Sequence, residues 1–329
     1  KHTMVEIKSS AKKRLKQQDL VMIIFRLFAD EYENSNAKSI WDIKLPIDQI
    51  KTILKERHNV SYRSNLWIYT QLKRYEEDSG VRLFKKEQKG KNNQSFNLSI
   101  YDSMLTFTQK QHLYVTGKIK IANGVNDKIR NSLINRPLDQ PLTIMLGAGS
   151  SIYHVADILA EHSRTFLHQF RIYTHNLGVI QRLLAPDVDT TKFELYTPSG
   201  RIDPVTYCVV SQDSDFYETV PFDFIIQGTS VVHNGNLYIE SGTETNIKEA
   251  ILHHCRGEKI LILTKHECKD QPLSSHTYGK ISDYDFLIVP RFQKNIAHKK
   301  NYEEEFEQYR ENFTPIIMNW NYEILAAKR

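Results

Sequence analysis

The 329 residues are 40% apolar, 25% charged and 11% aromatic, which supports packed cores and excludes a wholly disordered, collagen-like or mucin-like chain. Their length is about twice the common single-domain size, so two domains are expected. The net charge of +5 conceals an asymmetry: residues 1–140 carry 26 Lys+Arg against 15 Asp+Glu, and residues 141–329 carry 18 against 24. A basic front half fits a polyanionic partner, and an acidic back half fits a different task.

The longest apolar runs, Val21–Phe25 and Leu142–Leu146, fall far short of the roughly 20 residues of a membrane span, so no membrane partner is expected. The first twenty residues are basic and polar, without the apolar segment of a signal peptide. Cys208, Cys255 and Cys268 lack CxxC spacing, and the histidines, His253-His254 included, lack HExxH spacing. A reducing cytoplasmic setting, no metal and no cofactor are expected.

Residues 1–18 form a basic tail that can touch phosphates without specificity. From Asp19, a plausible N-cap, Leu20, Ile23, Ile24 and Leu27 recur at helical spacing. Ser39-Ile40-Trp41 reads as a short strand. Pro46 opens a second helix with Ile47, Ile50, Ile53 and Leu54 on its buried stripe, ending near His58-Asn59. Ser61 is a good N-cap for a third helix reaching about Asp78, with Leu66, Tyr69 and Leu72 inward and Tyr62, Arg63, Asn65, Lys73 and Arg74 outward. Gly80 stops it.

Two strands follow, Val81–Lys86 and Ser95–Ile100, joined by a loop rich in Lys, Gly and Asn. Three helices and a basic-tipped hairpin are the order of a winged helix-turn-helix over residues 19–101. In such a module Arg63 and Asn65 read base edges in the major groove, with Tyr62, Lys73 and Arg74 beside them. Lys86, Lys89 and Lys91 of the wing meet the phosphate backbone of double-stranded DNA. A wing used for protein contacts is the alternative.

Residues 102–140 read as linker helices, one beginning at Asp102 and one over about Val125–Asn135, before Pro137 and Pro141 break the chain. From 141 to 329 strands alternate with helices, the pattern of an α/β domain with a mostly parallel, Rossmann-like sheet. Strands are expected at Leu142–Leu146, Phe170–Thr174, Lys192–Tyr196, Phe222–Gln227, Lys259–Leu263, Asp285–Val289 and Thr314–Met318. The glutamate-rich stretch 300–312 reads as a solvated amphipathic helix.

The first of these strands runs into Gly147-Ala148-Gly149-Ser150-Ser151 and then a helix, a cradle for phosphate or carboxylate that lacks both Walker A and GxGxxG spacing. A structural turn with a serine cap is the alternative. Thr174-His175-Asn176, Gly200-Arg201, Gly228-Thr229, Lys265 and Lys269 follow later strands, where open α/β sheets bind ligands.

Leu146–Ser151 resembles the LDSGTT loop of the effector domain of DeoR-family transcriptional regulators, which shares its fold with ribose-5-phosphate isomerases. Tyr173–Asn176 resembles the family's VTNS step, Phe222–Gly228 its strand, and Asn234-Gly235 with Glu244, Lys248 and Ala250 its glycine turn and following helix. Leu261–Lys265 resembles the strand that leads to its lysine. The family's loop aspartate is Gly147 here, its asparagine is His175, and its recognition-helix motif is replaced by Ser61–Arg74.

The resemblance implies a cytoplasmic, ligand-responsive transcriptional regulator, a homodimer or homotetramer and not an enzyme, sensing a small phosphorylated metabolite such as a sugar phosphate or nucleotide. A phosphosugar isomerase or hydrolase using Asp223, Glu240, Glu244 or Lys265 is one alternative. A winged-helix sensor acting through protein contacts in a stress or defence complex is another.

Overall fold

A computed structural model describes residues 15–37, 40–80, 82–88, 95–101, 106–213, 215–272, 275–292 and 301–328. The basic tail to residue 14, wing residues Lys89 and Lys91, and Asp102 lie outside the described residues. The chain divides into two compact units, Lys1–Ser103 and Met104–Arg329.

The first unit runs α1 (Gln17–Asn34), β1 (Leu45–Pro46), α2 (Ile47–His58), α3 (Asn65–Ser79), β2 (Phe84–Gln88) and β3 (Phe96–Ile100). Its antiparallel sheet has the order β1-β3-β2, with Leu45 opposite Leu98 and Phe84 opposite Ile100. Asp19 sits inside the first turn of α1 and does not cap it. The run at Ile40–Asp42 is a 3-10 turn, because Leu45–Pro46 takes the place beside β3 instead. Phe25 and Phe28 of α1 stack their rings against Phe84, with centroids 5.3 and 6.3 Å away.

Helix α3 starts later than the sequence suggests. Ser64, not Ser61, accepts the amide of Trp67 at 3.2 Å and caps the helix. Its inward face is Ile68, Leu72 and Glu76, whereas Leu66 is 52% exposed. The reason is polar. The buried Glu76 carboxylate accepts the amides of Leu83 and Phe84 at 3.0 and 2.8 Å and pairs with Lys73, which fixes the rotation of the helix.

The second unit continues with α4 (Phe107–Lys110), α5 (Val115–Leu133), β4 (Leu142–Leu146), α6 (Ser150–Glu161), β5 (Phe170–Thr174), α7 (Leu177–Leu183) and β6 (Phe193–Tyr196). The hairpin β7 (Arg201–Asp203) and β8 (Cys208–Val210) precedes α8 (Asp215–Glu218) and β9 (Pro221–Gln227). Next come β10 (Val231–His233), β11 (Asn236–Tyr238), α9 (Thr245–His254), β12 (Arg256–Ile262), β13 (Thr277–Lys280) and β14 (Phe286–Pro290). The unit closes with α10 (Asn301–Arg310), β15 (Phe313–Met318) and β16 (Tyr322–Ala327).

Eight strands form one sheet in the order β15-β16-β14-β12-β9-β4-β5-β6. From β14 to β6 the neighbours are parallel, and β16 joins β14 and β15 antiparallel. Buried Ile144, Leu146, Ile172, Ile226 and Ile262 face α5, α6 and α7 in one core, and residues of α9, α10 and the small sheet β10-β11-β13 build cores with the rest. Each such apolar side chain contributes about 1.5–3 kcal/mol by leaving water.

The linker helix α5 packs against its own chain, with Ile121, Val125 and Ile129 buried in this core. Gly124 allows the close approach, since a Cβ there would stand 2.7 Å from Ile288 Cγ2. Helix α10 is less solvated than its composition suggests, with Tyr302, Phe306 and Tyr309 buried. No helix among the described residues is long and apolar enough to cross a membrane.

Candidate functional site

The chain leaves β4 for β5 and β6 on one side and returns as β9 on the other, so β4 and β9 flank the point where strand order reverses. In open α/β sheets that crevice, at the carboxyl ends of the strands, receives ligands. The glycine turn Gly147–Gly149 follows β4, and Gly228-Thr229 follows β9.

Gly147 is buried, and its amide donates to Ile226 O at 3.0 Å. A Cβ on it would stand 3.2 Å from that oxygen and 3.3 Å from Gln227 Cγ, so a larger residue would have to push β9 aside. Gly149 is exposed at φ +105°, with open space where a side chain would be, and it caps α6 without a side-chain bond. The first N–H groups of α6, at Ser150 and Ser151, thus start from a bare turn at the positive end of the helix. Ala148 is buried and Ser151 half-buried.

Behind the turn, Lys118 of α5 is 5% exposed and donates to Ser150 Oγ at 2.9 Å and to Lys110 O. Burial pulls its pKa down to about 7; the Glu267 carboxylate opposes this and Lys110 adds to it. Glu267 is itself held by the amide and hydroxyl of Thr264. Lys110 pairs with Glu240.

Thr174 and Asn176 are fully buried and serve the turn from below. Thr174 Oγ1 donates to Leu146 O at 2.6 Å. The Asn176 amide donates to Gly147 O and Gly149 O at 3.2 and 3.1 Å, while its oxygen caps α7 by accepting from Gly178 and Val179. His175 between them is 1% exposed, with Nδ1 2.9 Å from the Tyr217 hydroxyl. Burial, with the nearby Lys248 charge, lowers its pKa to about 4. Its Nε2 and the Gln227 Nε2 are buried without a hydrogen-bond partner in the structure.

Gly228 O accepts from Lys248 Nζ at 2.5 Å and from the Tyr278 hydroxyl at 3.2 Å, and Thr229 Oγ1 donates to Tyr238 O at 2.9 Å. Lys265 turns away at φ +74° and lies under α10, its ammonium 5.1 Å over the Phe306 ring. Lys269 is exposed, with its amide on Val232 O beside β10.

Gly200 and Arg201 line a separate groove of about 870 Å3. Arg201, Ser211, Gln212, Thr243, Asn246 and His254 give its lining polar groups, and no carboxylate lines it. The glycine turn, His175, Thr229, Lys265 and Lys269 are outside that lining. The hairpin that carries Arg201 is joined to the His175 step, with Val209 N on His175 O at 2.8 Å and Leu177 N on Tyr207 O at 3.0 Å. The sequence reading missed Lys118 and Glu267, which no glycine or motif marks, and it missed Gln227 although that residue ends a predicted strand beside Gly228.

In the first unit, Arg63 is exposed ahead of α3, and Arg74 is exposed with its guanidinium 5.7 Å from the Trp67 ring. Tyr62 is half-buried. Asn65 gives its amide to Asp48 at 2.6 Å, Lys73 is tied to Glu76 and to Phe84 O at 3.3 Å, and Lys86 lies 4.7 Å over Phe96. Asn65 and Lys73 therefore hold helices and strands together, while Arg63 and Arg74 face outward beside exposed Leu66 and Trp67.

Residues 132–291 match the family model described as the DeoR C terminal sensor domain. None of the curated proteins matches the chain. Among solved structures it is similar to ribose 5-phosphate isomerase from Plasmodium falciparum (13% identity, TM-score 0.30, covering 65% of this chain and 78% of that one). It is also similar to ribose 5-phosphate isomerase A from Methanocaldococcus jannaschii (10%, 0.31, 64% and 77%) and to eIF2B delta from Chaetomium thermophilum (10%, 0.32, 79% and 84%). Similarity at this level assigns no chemistry. Among the described residues no group of three or more His, Cys, Asp or Glu could hold a metal.

Proposed function

With residues 132–291 forming a DeoR C terminal sensor domain, we propose that this chain is a cytoplasmic DNA-binding regulator whose second unit senses a small phosphorylated metabolite. The observation that carries the reading is the join itself, a matched sensor domain behind a basic unit. That unit's order, α1-β1-α2-α3-β2-β3 with β1 beside β3, fits a winged helix, with Arg63 exposed just ahead of α3 and Arg74 exposed on it.

The effector's phosphate would meet the bare start of α6 at Gly149–Ser151, where N–H groups and helix dipole favour an anion. Asn176 and Thr174 hold that turn in shape and do not touch the ligand. The unpartnered Nε2 atoms of His175 and Gln227 at the strand ends would meet its hydroxyls, the Gln227 amide as a donor and the His175 ring as either. Arg201 and the groove's other polar groups are a second place for polar groups of the same ligand or of another. Lys265, which α10 covers, and Lys269, which lies beside β10, are not part of the proposed contact set.

Effector binding changes DNA affinity only if the ligand prefers one arrangement of paired readers, so a homodimer or homotetramer is part of the proposal. The test is a mobility-shift titration of a random-sequence duplex at low and moderate salt. Four phosphate contacts would lower affinity by roughly a hundredfold between about 50 and 200 mM salt. Absence of binding at low salt overturns the reading. One observation favours a second reading, since Leu66 and Trp67 are 52% and 46% exposed on α3: the first unit docks on a protein, and co-purification of a partner without duplex binding would support that.

A further inference from the structure

Lys118 is the least expected charge in the second unit. It is 5% exposed, yet both its hydrogen bonds go to neutral acceptors, Ser150 Oγ and Lys110 O. A buried ammonium without a hydrogen-bonded carboxylate is costly and persists only where something repays it. The charged groups facing it are Glu267 after β12, already engaged by Thr264, and Lys110 of α4, already paired with Glu240. Neighbouring His154 of α6 bonds Gln111 O, and His266 bonds Thr264 Oγ1 and stacks on Tyr114.

The geometry has a direction. Because Ser150 Oγ accepts from Lys118, its own hydrogen is left to point elsewhere, and Ser150 is the first residue of α6. We propose that Lys118 is a positioning residue for the effector's phosphate: its ammonium holds Ser150 so that the hydroxyl and the first α6 amides together receive a dianionic phosphate monoester. This rests on the glycine turn being an anion site.

Dianion binding then stabilises the ammonium form and draws a proton onto Lys118 wherever the free site has lost it. With the free-site pKa near 7, affinity should be flat in mild acid and fall as pH rises. A merely structural lysine would give no such profile.

Calorimetric titration of the full-length protein with sulfate tests this, because sulfate stays dianionic across the range and any pH dependence belongs to the protein. Wild type should bind roughly tenfold or more weakly at about pH 8.5 than at about pH 6. Ser150→Ala should weaken binding, which places the sulfate at this turn. Lys118→Met should bind weakly with a flat profile, and Lys118→Arg, which does not titrate, should restore binding with a flat profile. The arginine variant and the wild-type profile decide the matter even if the methionine variant does not fold.

No sulfate binding by wild type, or binding indifferent to Ser150→Ala, overturns the anion-site reading and Lys118's role with it. Binding that depends on Ser150 yet keeps the wild-type pH profile in Lys118→Arg overturns the role of Lys118 alone.

Discussion

Asn176, the N-cap of α7, donates to the Gly149 carbonyl at 3.1 Å, so the start of α7 fixes the turn that opens α6. The same amide holds Gly147 O, and the same side chain caps α7.

The two ends of Asn176 can be separated by mutation. Asn176→Asp keeps the cap acceptor but sets a carboxylate against two carbonyls, whereas Asn176→Ala loses both. Each should cost about 2–4 kcal/mol, with the aspartate no better than the alanine although it is a good N-cap residue. Urea denaturation of the two variants checks the order.

His175 predicts acid sensitivity. Its pKa falls from 6.5 unfolded to about 4 folded, so the unfolded chain takes up the proton first as pH drops. Stability from this group is complete above about 6.5 and is lost progressively down to about 4, a total of about 3 kcal/mol. His175→Phe should flatten that part of the curve of unfolding free energy against pH.

Glu76 predicts local opening. Glu76→Ala leaves the Leu83 and Phe84 amides unpaired and should cost about 2–4 kcal/mol, while Glu76→Gln keeps an acceptor and should cost less. Hydrogen exchange at the amides of Leu83 and Phe84 reads this directly, with protection lost in the alanine variant and largely kept in the glutamine variant.

Arg63 and Arg74 predict DNA contacts, and Lys73 does not. Removing either arginine should weaken duplex binding and lower the salt slope by about one, whereas Lys73→Ala should act mainly on stability through its lost pair with Glu76. Binding isotherms at several salt concentrations separate the two effects.

Most of the second unit was legible because its strands are continuous apolar runs with glycines at their ends, as at Leu142–Gly149. The phase of α3 was not legible, because a buried glutamate at position 76 reads as a solvent residue until the amides of Leu83 and Phe84 are seen to need it. Lys118 was hidden for the same reason, since a lysine in a helix carries no mark of its burial. Lys265 and Lys269 could not be told apart in sequence, because the spacing there is one residue longer than in the family, and α10, which covers Lys265, comes from outside the matched segment. The strand ends were therefore visible from sequence, and the side chains that support them from other elements were not.

The proposed regulator couples anion binding at the glycine turn to DNA binding by the first unit. Fluorescence anisotropy of a labelled random-sequence duplex, titrated with the full-length protein alone and with ribose 5-phosphate, fructose 6-phosphate or glycerol 3-phosphate, tests it most directly. Duplex binding should be salt-sensitive, and its affinity should shift severalfold or more with at least one of these compounds. Duplex affinity that stays constant with every one of them, although calorimetry shows that one binds the protein, would contradict it.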